Sequence, residues 1–158
     1  MPHLARFILL GLYTGSRPSV IVSLQWDWID LARGVMVRRA PGTPENKQKR
    51  TPPVRLGSRI LAHLRRWKRM DGNRCAYVYH CDGQHTDTPR TCWKTAVKRA
   101  GLGPGVTPHV LRHTRATWLM QNGVDIWEAA GHLGMNPSIL QTVYAKHHPD
   151  FQRRAAEV

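Results

Sequence analysis

Apolar side chains recur at helical spacing over most of the chain. The first such segment, residues 3–13, ends just before Gly15, and a short second helix is predicted over 18–24 because Pro18 suits a first helical turn. Glycine and proline residues separate the helical patterns that follow. Further helices are predicted over residues 58–70, 91–100, 108–122, 125–133 and 137–146.

The predicted extended segments are short. Residues 34–38 combine apolar and basic side chains and are predicted as a strand, and residues 76–79 as another. Residues 41–53 are rich in Pro, Gly and Lys, which indicates a hairpin turn with a basic return strand. The expected fold class is therefore α+β, mainly α, with one small antiparallel sheet near the N-terminal third. A length of 158 residues suits a single domain.

Charge narrows the choice of partner. The 24 Lys and Arg residues face only 10 acidic residues, so the formal net charge is +14 at pH 7. A surplus of this size in one domain indicates a polyanionic partner, most commonly nucleic acid. Charge alone does not distinguish DNA from RNA, from an anionic membrane surface, or from a merely well-solvated basic surface.

The apolar runs and the cysteines bear on location and metal binding. No run approaches the roughly 20 apolar residues needed to span a bilayer, and the N-terminus lacks a secretory signal pattern, so a soluble, cytoplasmic protein is expected. Cys75, Cys81 and Cys92 are an odd number and do not form a disulfide framework. His80 and His85 lie among them without the usual zinc-ligand spacing. Reduced thiols are expected, and a zinc-supported nucleic-acid-binding module is the alternative.

Three parts of the chain carry residues suited to phosphate chemistry. His109 and Arg112 are three residues apart on a predicted helix and therefore share a face. Arginine offers fixed, permanently charged donors, and histidine exchanges protons near neutrality. Arg17 follows a glycine turn at a predicted helix start, and Tyr144 lies near the C-terminus. Taken singly, each also has an ordinary interpretation as a surface or packing residue.

The ordered set of motifs resembles the tyrosine recombinase (phage integrase) family. Along the chain these motifs are TGSR, NKQKR in the hairpin, HVLRH, LGM and VYAKHH. In that family an arginine after a Thr-Gly turn precedes a hairpin lysine, H-x-x-R, L-G-H and a tyrosine. The resemblance runs from about residue 4 to 148. It implies a catalytic domain over 1–158 that recombines or integrates DNA site-specifically, by cleavage and rejoining through a 3′-phosphotyrosine. No cofactor and no metal are implied.

The resemblance also implies roles for individual residues. Arg17 and Arg112 would hold the scissile phosphate, and Tyr144 would attack phosphorus. His109 would assist proton transfer from the tyrosine or hold the phosphate. The hairpin lysine that protonates the departing 5′-oxygen would be Lys47, with Lys49 as the alternative two residues further along.

Two positions depart from the family pattern. Val20 stands where an acidic residue is usual, so a buried apolar contact is expected there. Met135 occupies the place of the His or Trp in L-G-H, and a thioether cannot donate a hydrogen bond to phosphate. His132 either compensates for Met135 or serves in packing or on the surface. A catalytically weak or silent DNA-binding relative is therefore an alternative reading.

Expectations about assembly also come from the resemblance. Double-stranded DNA is the implied partner, a tetramer on paired DNA sites is the implied assembly, and no membrane is involved. Family members usually carry an N-terminal helical domain that completes a clamp around DNA, and this core-binding domain is expected to be absent here. Residues 149–158 are expected to form a C-terminal tail that packs on a neighbouring copy. A type IB topoisomerase would share much of this chemistry.

Overall fold

Helices dominate the fold, and two small antiparallel sheets lie among them in the computed structural model, which describes residues 2–40, 42–44, 51–148 and 153–156. The helices are α1 (Pro2–Thr14), α2 (Pro18–Ser23), α3 (Ser58–Asp71), α4 (Arg90–Arg99), α5 (Val110–Gln121), α6 (Ile126–Leu133), α7 (Pro137–Tyr144) and α8 (Arg153–Ala156). The strands are β1 (Ile29–Asp30), β2 (Val35–Met36), β3 (Val54–Arg55), β4 (His80–Cys81) and β5 (Gln84–His85). The predicted class is confirmed, and the ends of the predicted helices differ by no more than two residues.

The three-stranded sheet has the order β1-β2-β3. Ile29 pairs with Met36, and Met36 pairs with Val54 on its other side, so that one buried column of side chains crosses the sheet. The return strand begins later than predicted, after Pro52 and Pro53. Proline has no backbone N–H to donate to a neighbouring strand, which explains why pairing starts only at Val54.

The strand predicted over residues 76–79 is wrong. Tyr77 forms only an isolated bridge with Gln25, and the second sheet lies just downstream, as the β4-β5 hairpin. Val78 and Tyr79 are fully buried in the hydrophobic core. Their apolar character therefore reflects core packing of an irregular segment rather than pairing in a sheet.

The hydrophobic side chains form two clusters that meet at α5. The N-terminal core contains Phe7 and Leu10 of α1, Leu64 of α3 and Leu111 at the start of α5. The C-terminal core contains residues of α5, α6 and α7: Ala116, Leu119, Met120, Ala129, Ala130, Leu133, Leu140 and Tyr144, with the neighbouring Ala145 also buried. Helix α5 therefore contributes to both clusters and joins the two halves of the molecule.

The crossing of α1 and α5 is unusually close. A Cβ atom added to Gly11 would lie 2.7 Å from Cδ1 of Leu111, which is well inside van der Waals contact. The absence of a side chain at Gly11 therefore lets the start of α5 pack directly on α1. This places Arg112, the residue after Leu111, beside the turn that follows α1.

A buried ion pair joins α1 to the end of α3. The Arg6 guanidinium donates from Nη1 and Nη2 to the two carboxylate oxygens of Asp71, at 2.6 and 2.7 Å, and Nη1 also donates to the Val78 carbonyl at 3.0 Å. The Gly83 N–H donates to Nδ1 of His80, so the proton of the neutral ring is on Nε2, which lies 3.0 Å from Asp71. Burial raises the pKa of Asp71, but the hydrogen bonds from Arg6 and His80 and the charge of Arg6 outweigh it and leave the pKa below its usual value.

Replacing one member of this pair will strongly destabilise the fold. Arg6→Met leaves the Asp71 carboxylate buried without its main partner, and we expect a loss of about 3 kcal/mol in the free energy of unfolding, measured by chemical denaturation. The matched control is the double variant Arg6→Met/Asp71→Leu, which removes both charges and is expected to recover part of the loss. Equal destabilisation of the single and double variants would contradict this account.

No helix in the described ranges is both long and apolar enough to cross a membrane.

Candidate active site

Arg112 is the most buried of the predicted site residues that carry a charge. It lies in the first turn of α5 and is 7% exposed. Its Nη1 donates to the carbonyls of Gly15 at 2.7 Å and Leu133 at 2.6 Å, and its Nη2 approaches the Gly134 carbonyl at 3.4 Å. One guanidinium therefore ties the turn after α1 to the end of α6.

The turn after α1 can approach α6 only because it contains Gly15. This residue has φ +62°, and a Cβ atom there would lie 2.3 Å from Cδ2 of Leu133. At the other side of the contact, α6 begins with Asp125 capping two backbone N–H groups and ends at Gly134 in the left-handed conformation. The positions of the carbonyl groups that accept hydrogen bonds from the arginines are thus determined by ordinary helix-ending geometry.

Arg17 meets Arg112 at a shared acceptor. It precedes α2 as its N-cap residue, and its Nη2 donates to the Gly134 carbonyl at 3.3 Å. Arg17 and Arg112 also line one cavity of about 840 Å³. The other residues that line this cavity are Trp127, Gly134, Met135, Asn136, Pro137, Ser138, Ile139 and Gln141. The structure therefore brings together two residues that are 95 positions apart and were predicted to share one phosphate.

A third arginine, which sequence reasoning missed, is close enough to this pair to feel their charges. Arg38 follows β2, is 3% exposed, and donates to the Thr14 carbonyl at 2.5 Å and to Oγ of Ser16 at 3.1 Å. Burial, and then the charges of Arg112 and Arg17, lower the pKa of Arg38 to about 9. The only sequence signal was a basic residue at the end of the predicted first strand.

Two of these three arginines, Arg38 and Arg112, are held by uncharged acceptors in the part of the chain that the structure describes. Within the described part of the chain, neither Arg38 nor Arg112 forms a salt bridge with a carboxylate. Val20, which stands where the family usually has an acid, is buried as predicted. Burial, and then the charge of Arg17, lower the pKa of Arg112 to about 10. Backbone carbonyl dipoles hold these cations in place without neutralising them, so the cavity is suited to an anion.

Tyr144 ends α7 beside this cluster, and its side chain is 5% exposed within the C-terminal core. Its hydroxyl is hydrogen-bonded to Nδ1 of His113, the residue that follows Arg112. Burial raises the pKa of Tyr144, and the positive charge of Arg112 partly offsets that effect. Tyr144 is therefore close enough to Arg112 for the arginine charge to affect its pKa, but it does not line the cavity of the two arginines. Sequence reasoning did not single out His113.

His109 is placed differently from Arg112. Helix α5 begins at Val110, so His109 is its N-cap residue, and the exposed side chain lines a separate cavity of about 500 Å³ with Arg90 and Lys94. The structure does not bring His109 into the cavity that holds the two predicted phosphate ligands. The predicted general acids Lys47 and Lys49 lie outside the described residues.

Met135 and His132 both lie near the turn between α6 and α7, but their surroundings differ. Met135 lines the cavity with Arg17 and packs against the C-terminal core. His132 is not among the residues that line this cavity, and its Nε2 is buried with no hydrogen-bond partner among the residues that the structure describes. Burial, followed by the charges of Arg115 and Arg38, lowers the pKa of His132 to about 4. His132 is therefore an uncharged, partly buried residue at neutral pH.

The cysteines do not assemble a metal site in the described ranges. Cys75, Cys81 and Cys92 are free thiols with intermediate burial. No group of three or more His, Cys, Asp or Glu side chains in this part of the chain is arranged to hold a metal ion.

Comparison with known proteins identifies the family. The model of the phage integrase family matches residues 2–149. Tyrosine recombinase XerA of Pyrococcus furiosus is 33% identical over 159 residues, an alignment that covers 95% of this chain and 54% of the relative. The chain belongs to the phage integrase family. Tyrosine recombinase XerD of Mycobacterium tuberculosis is also 33% identical, with 90% of this chain and 48% of the relative covered. This integrase-family chain spans about half the length of these relatives.

Solved structures support the same fold. The crystal structure of XerA recombinase has a TM-score of 0.69 at 22% identity and covers 99% of this chain and 62% of that one. The catalytic domain of bacteriophage HP1 integrase has a TM-score of 0.67 at 22% identity, with 99% and 82% covered. The Tn1549 transposon integrase in complex with transposon right end DNA has a TM-score of 0.76 at 20% identity, with 99% and 58% covered. The predicted resemblance to the recombinase family is confirmed.

The buried state of His132 predicts a pH effect on stability. Its pKa is lowered from 6.5 in the unfolded chain to about 4 in the fold. Between these values the unfolded chain binds a proton that the folded chain does not, so stability falls as the pH falls below about 6.5. We expect His132→Gln to reduce the difference in unfolding free energy between pH 7 and pH 5, measured by urea denaturation. His147→Gln, at an exposed position, is the control. An unchanged pH difference in His132→Gln would contradict the prediction.

Proposed function

We propose that this domain performs site-specific DNA recombination or integration, cleaving and rejoining a strand through a 3′-phosphotyrosine at Tyr144. The observation that carries the proposal is the meeting of Arg17 and Arg112 at the Gly134 carbonyl, with Tyr144 within electrostatic reach of Arg112. Double-stranded DNA is the proposed substrate.

The arginine pair accounts for the choice of a phosphodiester. Two guanidinium groups offer forked donors to the non-bridging oxygens and stabilise the negative charge that builds up in the pentavalent transition state. Because Arg112 has no carboxylate partner in the described ranges, binding of a phosphate oxygen at this guanidinium does not have to displace an acidic side chain from it. The partly buried setting strengthens the attraction, since water screens it less.

The proposed cleavage step at Tyr144 replaces one bond to phosphorus with another. The phenolic oxygen forms a bond to phosphorus, the bond from phosphorus to the 5′-oxygen breaks, and the phosphodiester energy is kept for rejoining. A proton has to leave the phenol and another has to reach the departing 5′-oxygen. Lys47 remains the predicted source of the second proton, with Lys49 as the alternative. Because Tyr144 does not line the cavity of the two arginines, its hydroxyl and the bound phosphate have to approach each other for this step.

The relatives give independent support for this activity. The matching relatives include tyrosine recombinases XerA and XerD, and the integrase of Salmonella phage P22 is 32% identical over 130 residues. The structural neighbours include the Tn1549 integrase with transposon DNA and XerH bound to its difH substrate in a post-cleavage complex. We extend DNA as a substrate from those proteins to this chain.

A silent DNA-binding relative is the second candidate, and Met135 is the observation that favours it. The thioether lines the proposed phosphate cavity and offers no hydrogen-bond donor where the family usually has one. His132 does not line the cavity to replace that donor. This candidate predicts DNA binding without covalent capture. Assembly as a tetramer on DNA, with residues 149–158 packed on a neighbour, also remains a proposal.

A covalent-trapping experiment tests the activity directly. We propose a library of nicked duplexes with randomised sequence around the nick, because the short cleaved fragment diffuses away and prevents rejoining. The wild-type chain is expected to form a protein–DNA adduct that survives denaturing gel electrophoresis, and the sequence of the captured duplex then supplies a defined substrate. Tyr144→Phe lacks the nucleophile and is expected to form none. If the wild-type protein binds DNA but forms no adduct, the silent alternative is supported and the enzymatic proposal fails.

DNA affinity is expected to depend steeply on salt. Phosphate contacts release counterions, so the logarithm of the binding constant should fall linearly with the logarithm of salt concentration. Arg17→Met is expected to weaken binding to the captured duplex and to reduce the magnitude of this slope by about 1, as for the loss of one phosphate contact. Tyr144→Phe keeps the arginines and should keep the wild-type slope. Fluorescence anisotropy over a salt series measures both, and an unchanged slope in Arg17→Met would argue against a phosphate contact.

A further inference from the structure

The partner of the Tyr144 hydroxyl is a histidine that the resemblance does not account for. Nδ1 of His113 is hydrogen-bonded to this hydroxyl, and the two ring centroids are 6.0 Å apart with an interplanar angle of 35°. His113 follows Arg112 in α5, so one short stretch of helix carries both the cation near the tyrosine and the acceptor bonded to it. His113 as a whole is an exposed residue.

The position of His109 bears on which histidine can take the proton of Tyr144. The resemblance implies a role for His109 in taking the tyrosine proton, but its exposed side chain lines a different cavity from Arg17 and Arg112. A general base must lie within hydrogen-bond reach of the proton that it removes. His113 meets this requirement in the structure.

The chemistry of the hydroxyl calls for a base at this position. A free tyrosine ionises at a pKa of about 10, and burial raises the pKa of Tyr144 although the charge of Arg112 opposes that effect. For the tyrosine to donate to Nδ1, the neutral imidazole must carry its own proton on Nε2. When Nδ1 accepts the tyrosine proton, the ring becomes an imidazolium that holds this proton until rejoining.

We propose that His113 is the general base that removes the hydroxyl proton of Tyr144 during strand cleavage. The O–H bond of Tyr144 breaks and an N–H bond forms at Nδ1 of His113. The phenolic oxygen then bonds to phosphorus, and the 5′-oxygen leaves with a proton from a separate acid, for which Lys47 and Lys49 are the predicted sources. In rejoining, the imidazolium returns its proton to the phenol. This inference rests on the proposed function.

The experiment compares three proteins in single-turnover cleavage of the captured nicked duplex. His113→Ala removes the base and leaves a space for added imidazole. His113→Asn keeps a hydrogen-bonding group near the position of Nδ1 but cannot take a proton. We expect both variants to cleave about 100-fold more slowly than the wild-type protein while binding the duplex equally well, and we expect imidazole to restore part of the rate in His113→Ala.

A DNA substrate with sulfur in place of the bridging 5′-oxygen distinguishes the loss of a general base from the loss of a general acid. A thiolate leaves without being protonated, so this substrate corrects the loss of a general acid but not the loss of a base. We therefore expect the sulfur substrate to leave the defect of both His113 variants in place. His147→Ala, at an exposed position on the 3₁₀ turn after α7, is the matched control and should cleave like the wild-type protein.

The outcomes separate this inference from the proposed function. If the wild-type protein forms no adduct on any duplex, the proposed function fails and the assignment of the base fails with it. If the wild-type protein cleaves and His113→Asn cleaves at the same rate, His113 only holds the tyrosine and the inference is overturned. Full correction of His113→Ala by the sulfur substrate would also overturn it, because that result identifies an acid. Thermal unfolding of each variant checks that the fold is retained.

Discussion

The structure depends on the hydrogen bonds that one buried cation donates. The Arg112 guanidinium lies inside the protein, where an unpaired charge is costly, and its donors are met by the carbonyls of Gly15, Leu133 and Gly134. These carbonyls belong to the turn after α1 and to the end of α6, which are more than a hundred residues apart. The geometry around Arg17 and the cavity that it lines follow from the way in which this one side chain joins the two segments.

Satisfying the hydrogen bonds of the arginines leaves their charge in place. Carbonyl oxygens accept the N–H groups of Arg38 and Arg112, but neither residue has a carboxylate partner in the described ranges. Burial is the main cause of the lowered pKa values of both groups. The charges of Arg112 and Arg17 lower the pKa of Arg38 further, and the charge of Arg17 lowers that of Arg112. The rest of the fold holds these cations together, and an anion is the ligand that would relieve the repulsion. The apolar residue Val20 at the usual acidic position increases this imbalance.

The proposed nucleophile and the proposed phosphate ligand Arg17 belong to different parts of the molecule. Tyr144 is packed in the C-terminal core, while Arg17 lies at the start of α2 beside the N-terminal core. Helix α5 contributes to both clusters and carries Arg112 and His113 where they meet. The hydroxyl of Tyr144 is bonded to His113 at this junction, and Tyr144 itself does not line the cavity of Arg17 and Arg112.

The sequence by itself determined the helices, the mainly α class, the family and the ordered set of candidate residues, because helical periodicity and motif spacing are properties of nearby positions. The resemblance predicted that Arg17 and Arg112 would meet, but the sequence did not determine the other long-range contacts of the site. Arg38 bonds to Ser16 across 22 residues, and His113 bonds to Tyr144 across 31, without any local pattern that marks either pair. The incorrect strand over 76–79 has the same origin, since a buried irregular segment and a buried strand have similar composition. Only packing of the whole chain decided these features, because burial and long-range hydrogen bonding arise when separate segments share one interior.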